Sequence, residues 1–267
     1  MTIPSYDGIM EAVRITFREV AKMSETPINP FDDAEEIAKR SMVIFFVIDC
    51  SGSMSGSKIG TVNSVMEELI PEIKDIGGAD ADIKLAVLKF SGGCEWMYDA
   101  PVSIGEFEWK PLEAENVTDL GAALTELASK LSRNEFMKSP SLSFAPVMIL
   151  MSDGYPTDNY VRGLDTIAKN RWYSNGIKAA VAIGEDADLD ILAQFTGDPD
   201  SVVTAHNGEA LAKLIKFVAV TSSQIGSRSV RLADSGEQAH TKQEAAAEQI
   251  REFAESDEIN ADIEAGW

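Results

Sequence analysis

Apolar runs and amphipathic stretches alternate along the middle of the chain, from about residue 42 to residue 220. Runs rich in Val, Ile, Leu and Phe predict six strands, at residues 42–48, 83–90, 94–98, 147–151, 177–183 and 201–204. Apolar positions at helical spacing predict helices at residues 58–70, 119–131, 161–173, 189–195 and 209–220. This alternation indicates an α/β fold: a doubly wound, mainly parallel six-stranded sheet with helices on both faces. The run at 94–98 follows two glycines and predicts one short antiparallel edge strand.

Both ends of the chain differ from this central pattern. Residues 1–40 predict an N-terminal helical extension, with an amphipathic helix at 6–23. Residues 227–267 predict an acidic C-terminal tail, partly helical or disordered, with a helix near Gln243–Ala254. Acidic side chains outnumber basic ones there and large apolar side chains are few, so we expect the tail to lie outside the core as a regulatory or partner-docking segment. The α/β domain is then predicted to span residues 41–226.

The net charge limits the class of partner, and the cysteine content limits the disulfide bonds that the chain can form. The chain of 267 residues has a formal net charge of −21, which argues against nucleic acid because phosphates would be repelled. The same charge fits the binding of a cation or of a basic protein. The two cysteines, Cys50 and Cys94, do not make a disulfide framework, and we interpret Cys50 as a small packing residue.

The pattern of hydrophobicity gives no sign of a membrane segment. No apolar run approaches the roughly 18 residues that a membrane-spanning helix requires. The first residues lack the basic start and apolar stretch of a signal peptide. We therefore expect a cytoplasmic location and no membrane association.

The most informative motif is Asp49-Cys50-Ser51-Gly52-Ser53, which begins where the first predicted strand ends. In an open α/β sheet, ligands bind at the carboxyl ends of the strands. One aspartate and two hydroxyls on a tight turn offer closely spaced oxygen ligands. Hard divalent cations such as Mg²⁺ prefer oxygen ligands and keep open positions for water or a partner.

Two further loops are expected at the same edge of the sheet. Thr118-Asp119 precedes a predicted helix, and Ser152-Asp153-Gly154 follows the apolar strand at 147–151. Taken singly, Thr118 is equally well explained as a helix N-cap and Asp153-Gly154 as a turn. Taken together with the first motif, three loops bring two carboxylates and three hydroxyls to one place. The sequence therefore predicts a divalent-metal site made by Asp49, Ser51, Ser53, Thr118 and Asp153.

These residues resemble the metal-ion-dependent adhesion site of von Willebrand factor A domains. The family pattern is D-x-S-x-S, then a threonine, then an aspartate, and it is matched here by Asp49, Ser51, Ser53, Thr118 and Asp153. The resemblance spans roughly residues 41–225 and includes the order of strands and helices. It implies that the hydroxyls bind Mg²⁺ (or Mn²⁺ or Ca²⁺), that the aspartates often act through water, and that a protein partner supplies a carboxylate to the metal. It also implies a binding module rather than an enzyme.

Within that family, residues 118–124 and 153–158 are most similar to bacterial tellurium-resistance-type proteins. This similarity implies an adaptor or scaffold in a bacterial stress-response or signalling system, with a kinase or phosphatase as a companion. A carboxylate from the chain's own acidic tail is a further candidate for the open metal position.

Other chemistries fit the motif less well. A metal-dependent phosphohydrolase of the haloacid dehalogenase type also places an aspartate after the first strand, but it needs a second aspartate where this chain has Ser51. A nucleotide-binding loop needs a different spacing between Gly52, Gly56 and Lys58. A serine-hydrolase elbow needs serine where Met54 stands. A structural scaffold that binds no metal is the remaining alternative.

Overall fold

A mixed, mainly parallel sheet lies at the centre of the computed structural model, which describes residues 40–76, 81–115, 117–138, 143–184, 187–227 and 241–256. Its strands are β1 (Arg40–Asp49), β2 (Ala81–Ser91), β3 (Gly93–Trp96), β4 (Val102–Ser103), β5 (Val147–Ser152), β6 (Ile177–Ile183) and β7 (Val202–Ala205). Their order is β3-β2-β1-β5-β6-β7, and β4 also pairs with β2. Strands β3 and β4 are antiparallel to β2 and every other pairing is parallel.

The predicted fold class is confirmed, but the predicted number of strands is wrong by one. All six predicted strands are present, and β4 makes the sheet seven-stranded. Strand β4 has two residues, paired as Lys84 with Ser103 and Leu85 with Val102. A strand of this length is too short to show a periodic hydrophobic pattern, and the sequence therefore does not predict it.

Helices α1 (Ser57–Ile76), α2 (Leu120–Lys130), α3 (Tyr160–Ile167), α4 (Arg171–Asn175), α5 (Leu189–Thr196), α6 (Gly208–Ser227) and α7 (Lys242–Ala254) connect or follow the strands. Helix α1 continues through Pro71 to Ile76, beyond the predicted end at residue 70. The helix predicted at 161–173 is two helices, because the side chain of Asn170 accepts hydrogen bonds from the backbone N–H groups of Trp172 and Tyr173 and so starts α4. None of the described helices combines the length and apolar character needed to cross a bilayer.

Apolar side chains cover both faces of the sheet. Strand β1 alternates between them, with Ile44, Phe46 and Ile48 in one cluster and Phe45 and Val47 in the other, all buried. The first cluster includes side chains of α1, α6 and α7, and the second includes side chains of α2 to α5. Burial on both faces explains why the central strands are nearly continuous apolar runs. It also fixes where each strand ends at the polar edge of the sheet.

Helix α7 is part of the domain core, so the expectation that the acidic tail lies outside the core is wrong for this helix. Ala246, Ala247 and Ile250 are buried, and the ring of Phe253 stacks on Phe217 with 3.9 Å between centroids. The small side chains of Ala246 and Ala247 let the helix pack closely against the domain. The prediction considered only large apolar side chains and therefore missed this contact. The predicted extension at 1–40, apart from residue 40, lies outside the described residues, as do 228–240 and 257–267 of the tail.

The side chain of Gln243 completes the hydrogen bonding of β6. Its Oε1 accepts from the backbone N–H of Lys178 at 2.7 Å, and its Nε2 donates to the backbone carbonyl of Lys178 at 2.9 Å. Nε2 also donates to Ser201 Oγ at 2.8 Å. Strand β7 pairs with β6 only from Ala180 onward. Gln243 therefore takes the place of a strand residue at the start of β6.

We expect Gln243→Ala to lower the free energy of unfolding by about 1–3 kcal/mol, because buried backbone groups of Lys178 lose their partner. Urea denaturation followed by circular dichroism measures the change. The control is Gln194→Ala. Gln194 is an exposed residue of α5 whose Nε2 donates to the carbonyl of Asp190 within the same helix, so its effect should stay within about 0.5 kcal/mol. Equal losses for the two variants would contradict a structural role for Gln243.

Candidate metal site

Asp49 is fixed at the carboxyl end of β1 by donors to both of its carboxylate oxygens. The register of β1 with β5 pairs Ile48 with Met151, so Asp49 lies beside Ser152 at the ends of adjacent strands. Ser152 Oγ donates to Asp49 Oδ2 at 2.6 Å, and the backbone N–H of Ser51 donates to Oδ1 at 2.8 Å. The Asp49 side chain is fully buried. Its orientation is therefore set before any ligand arrives.

The two serines of the motif lie on a 3₁₀ turn, Gly52–Met54. Met54 is fully buried in the core, and its backbone N–H donates to the carbonyl of Ser51 at 3.0 Å. This anchor places Ser51 Oγ 3.0 Å from Ser53 Oγ. Ser53 Oγ in turn donates to Asp153 Oδ1 at 2.6 Å. The turn thus forms a hydroxyl bridge between the end of β1 and the end of β5.

Asp153 carries a second contact that the sequence prediction did not include. Its Oδ2 accepts from Lys58 Nζ at 2.5 Å. Lys58 is the second residue of α1, and the chain reaches that helix through Gly56, whose φ of +83° is in the left-handed region that glycine favours. The cluster therefore combines two carboxylates, two serine hydroxyls of the motif and one ammonium.

Thr118 is a buried residue on a largely exposed loop, which is tied to the loop after β5 and to the end of β2. Its carbonyl accepts from the backbone N–H of Thr157 at 2.8 Å, and its own N–H donates to Thr157 Oγ1 at 3.1 Å. The N–H of Asp119 donates to the carbonyl of Ser91 at the end of β2 at 2.9 Å. Among the described contacts, no hydrogen bond joins the Thr118 hydroxyl to the other predicted site residues. The structure thus links four of the five by hydrogen bonds and holds the fifth on an adjacent loop.

Asp158 fixes the position of the loop that follows β5. The N-cap position of α2 is Asp119, which makes no side-chain cap; instead, the Asp158 carboxylate accepts from the N–H groups of Gly121 and Ala122, both at 2.9 Å. A Cβ at Gly121 would lie 2.6 Å from the carbonyl oxygen of Asn159, so this approach requires glycine. The alternative role of Thr118 as N-cap is not observed.

Burial raises the pKa of Asp49, and the nearby Asp153 charge adds to the increase, while hydrogen bonds from Ser152 and Ser51 oppose it. The pKa of the neighbouring thiol, Cys50, is raised to about 12, mainly by burial, which fits its interpretation as a packing residue. Within the described residues, no group of three or more His, Cys, Asp or Glu side chains is placed to hold a metal. This site would depend on two carboxylates and hydroxyls, a donor set that suits Mg²⁺, Mn²⁺ or Ca²⁺.

The same geometry argues against the phosphohydrolase alternative. The Asp49 side chain is fully buried and accepts a hydrogen bond on each oxygen, so a bulky phosphate ester has less access to it than a small cation has. Ser51 occupies the position of the general acid and cannot act as one at neutral pH. No observation on the described residues favours phosphoryl transfer.

Comparisons with known proteins agree with the architecture. The sequence model described as von Willebrand factor type A domain matches residues 44–217. Human inter-alpha-trypsin inhibitor heavy chain H6 is 27% identical over 166 residues, which are 57% of this chain and 12% of that protein. The chain therefore spans a small fraction of this curated relative.

Solved structures show the same fold at low sequence identity. The pilus adhesin SpaC from Lactobacillus rhamnosus GG has a TM-score of 0.55 at 13% identity, covering 70% of this chain and 31% of the adhesin. Proximal thread matrix protein 1 from the mussel byssus, with a zinc-occupied metal-ion-dependent adhesion site, has a TM-score of 0.50 at 18% identity, covering 70% of this chain and 46% of that one. At these identities the likeness concerns the fold.

We expect Asp158→Ala to destabilise the protein by about 1–2 kcal/mol, because α2 loses a charged cap on two backbone N–H groups. Thermal and urea unfolding measure the loss. Asp165→Ala removes the same charge from an exposed position on α3 and should change stability by less than about 0.5 kcal/mol. Similar stability of both variants would show that the Asp158 contacts contribute little.

Proposed function

Because this chain belongs to the von Willebrand factor type A domain family, we propose that it is a protein-binding module whose binding depends on a divalent metal. Domains of this family are generally metal-dependent interaction modules. The proposed metal residues are Asp49, Ser51, Ser53, Thr118 and Asp153. The proposed ion is Mg²⁺, with Mn²⁺ or Ca²⁺ as the alternatives.

The observation that carries this proposal is the hydroxyl bridge between two carboxylates from adjacent strand ends. Ser51 Oγ lies 3.0 Å from Ser53 Oγ, which donates to Asp153, while Asp49 holds the backbone of Ser51. Oxygen donors at this spacing fit a hard cation, which retains positions for water or for a partner's carboxylate. The zinc-occupied site of the mussel protein supports a metal at this position. When bound, the metal would supply the positive charge that attracts the partner's carboxylate.

Apolar side chains beside the cluster support a protein as the partner. Val117 precedes Thr118 and is 49% exposed, and Tyr155 follows Asp153 by two positions and is 63% exposed. Their loops are joined by the hydrogen bonds between Thr118 and Thr157. Exposed aromatic and aliphatic groups next to a charged centre are typical of a binding surface. The net charge of −21 disfavours nucleic acid there.

The cellular setting is proposed on the resemblance of residues 118–124 and 153–158 to tellurium-resistance-type proteins. It comprises a bacterial stress-response or signalling system, a cytoplasmic location and a kinase or phosphatase as the companion that supplies the carboxylate. The protein would act there as an adaptor or scaffold and not as an enzyme.

We expect Asp49→Ala to abolish binding of Mg²⁺ and Mn²⁺ in isothermal titration calorimetry while the fold remains intact by circular dichroism. The reason is that no other described carboxylate lies at the end of β1 to replace it. Asp49→Asn, which keeps the shape and removes the charge, should also lose binding, whereas Asp165→Ala should retain it. Near wild-type affinity in a folded Asp49→Ala protein would refute the assignment.

We expect Thr118→Ala to weaken partner binding more than metal binding. The Thr118 hydroxyl makes no described hydrogen bond to the other site residues, so those residues stay linked without it. Thr118 lies next to the exposed Val117 on the proposed partner surface. Metal affinity is measured by calorimetry, and partner binding by pull-down with Mg²⁺ or with a chelator. Thr166→Ala, at a half-buried position on α3, is the control. Equal losses in the two measurements would contradict a separate role for this loop.

A further inference from the structure

Lys58 places a positive charge inside the acidic cluster. Its Nζ lies 2.5 Å from Asp153 Oδ2, and the side chains are 23% exposed for Lys58 and 0% for Asp153. By comparison, Lys216 pairs with Glu72 at 2.6 Å with side chains 51% and 43% exposed. The Lys58 ion pair is therefore shielded from solvent, and its charges interact more strongly than those of a surface pair.

The contacts of Asp153 leave little room for a second cation. Its Oδ1 already accepts from Ser53 Oγ, and its Oδ2 accepts from Lys58 Nζ. A divalent ion held by Ser51 and Ser53 would lie close to the ammonium, and the two positive charges would repel each other in this partly buried site. Removal of the ammonium would leave two carboxylates facing a doubly charged ion.

We propose that Lys58 is a built-in competitor of the divalent metal, which must displace the ammonium from Asp153 in order to bind. This inference rests on the proposed function and adds an affinity-determining residue to the same site. In the metal-free protein, Lys58 offsets the mutual repulsion of Asp49 and Asp153 and keeps the site preformed. On metal binding, its long flexible side chain moves into solvent at the edge of the sheet.

Calorimetry with MnCl₂ on the full chain tests the competition. Lys58→Met should bind Mn²⁺ about tenfold or more tightly than the wild type, because the repelling charge is gone. Lys58→Arg keeps the charge and should bind with near wild-type affinity. Lys216→Met removes the same charge far from the proposed ligands and should also leave the affinity unchanged. Without metal, Lys58→Met should have a lower melting temperature, since Asp153 remains buried without its partner.

Acylation of lysines, followed by mass spectrometry, gives a readout that does not depend on affinity. Lys58 should react slowly in the metal-free wild type and faster once Mn²⁺ is bound, whereas Lys216 should react at one rate. Unchanged or weaker Mn²⁺ binding by Lys58→Met, or slow labelling of Lys58 in the metal-bound protein, would overturn the inference and leave the proposed function standing. Absence of Mn²⁺ binding in both wild type and Lys58→Met would overturn the proposed function together with the inference.

Discussion

The parallel pairing of β1 with β5 is the constraint on which the candidate site depends. It places the end of one strand, Asp49, beside the end of the other, Ser152 and Asp153. Two carboxylates are thereby held close together at a buried edge, where their mutual repulsion opposes folding. The hydroxyls of Ser152 and Ser53 and the ammonium of Lys58 donate hydrogen bonds to these carboxylates and so offset the repulsion between them. The same repulsion is one reason for which we propose a cation at this site.

The surrounding packing converts this local arrangement into a rigid one. Apolar residues on both faces of β1 leave the strand no freedom to shift along its neighbours, since a slip of one residue would exchange its two buried faces. Met54 anchors the serine turn in the core. Asp158 anchors the loop after Asp153 to the first turn of α2. The serine turn and the loop after β5 are thus attached to different parts of the scaffold, and the Thr118 loop is joined to the loop after β5 through Thr157.

The sequence predicts those features that depend on neighbours along the chain. The apolar runs of β1 and β5 predict the ends at which Asp49 and Asp153 lie, so the fold class and the convergence of the motif follow directly. Contacts between distant residues have no such signal. The cap of α2 by Asp158 joins residues 37 positions apart, and Gln243 lies 65 positions from Lys178. The ion pair of Lys58 with Asp153 depends on the direction in which α1 leaves the turn at Gly56. The hydrophobic pattern of the sequence does not predict that direction.

The contact between Gln243 and β6 also governs how the sheet behaves toward other molecules. Strand β7 does not pair with the first residues of β6. Without Gln243, the backbone groups of Lys178 would form a free sheet edge within the apolar run Ile177–Ile183. Such edges recruit strands from other chains. By ending this edge with a side-chain amide, the chain removes a template for β-aggregation. The acidic C-terminal segment thus contributes a safeguard against self-association that its composition alone does not suggest.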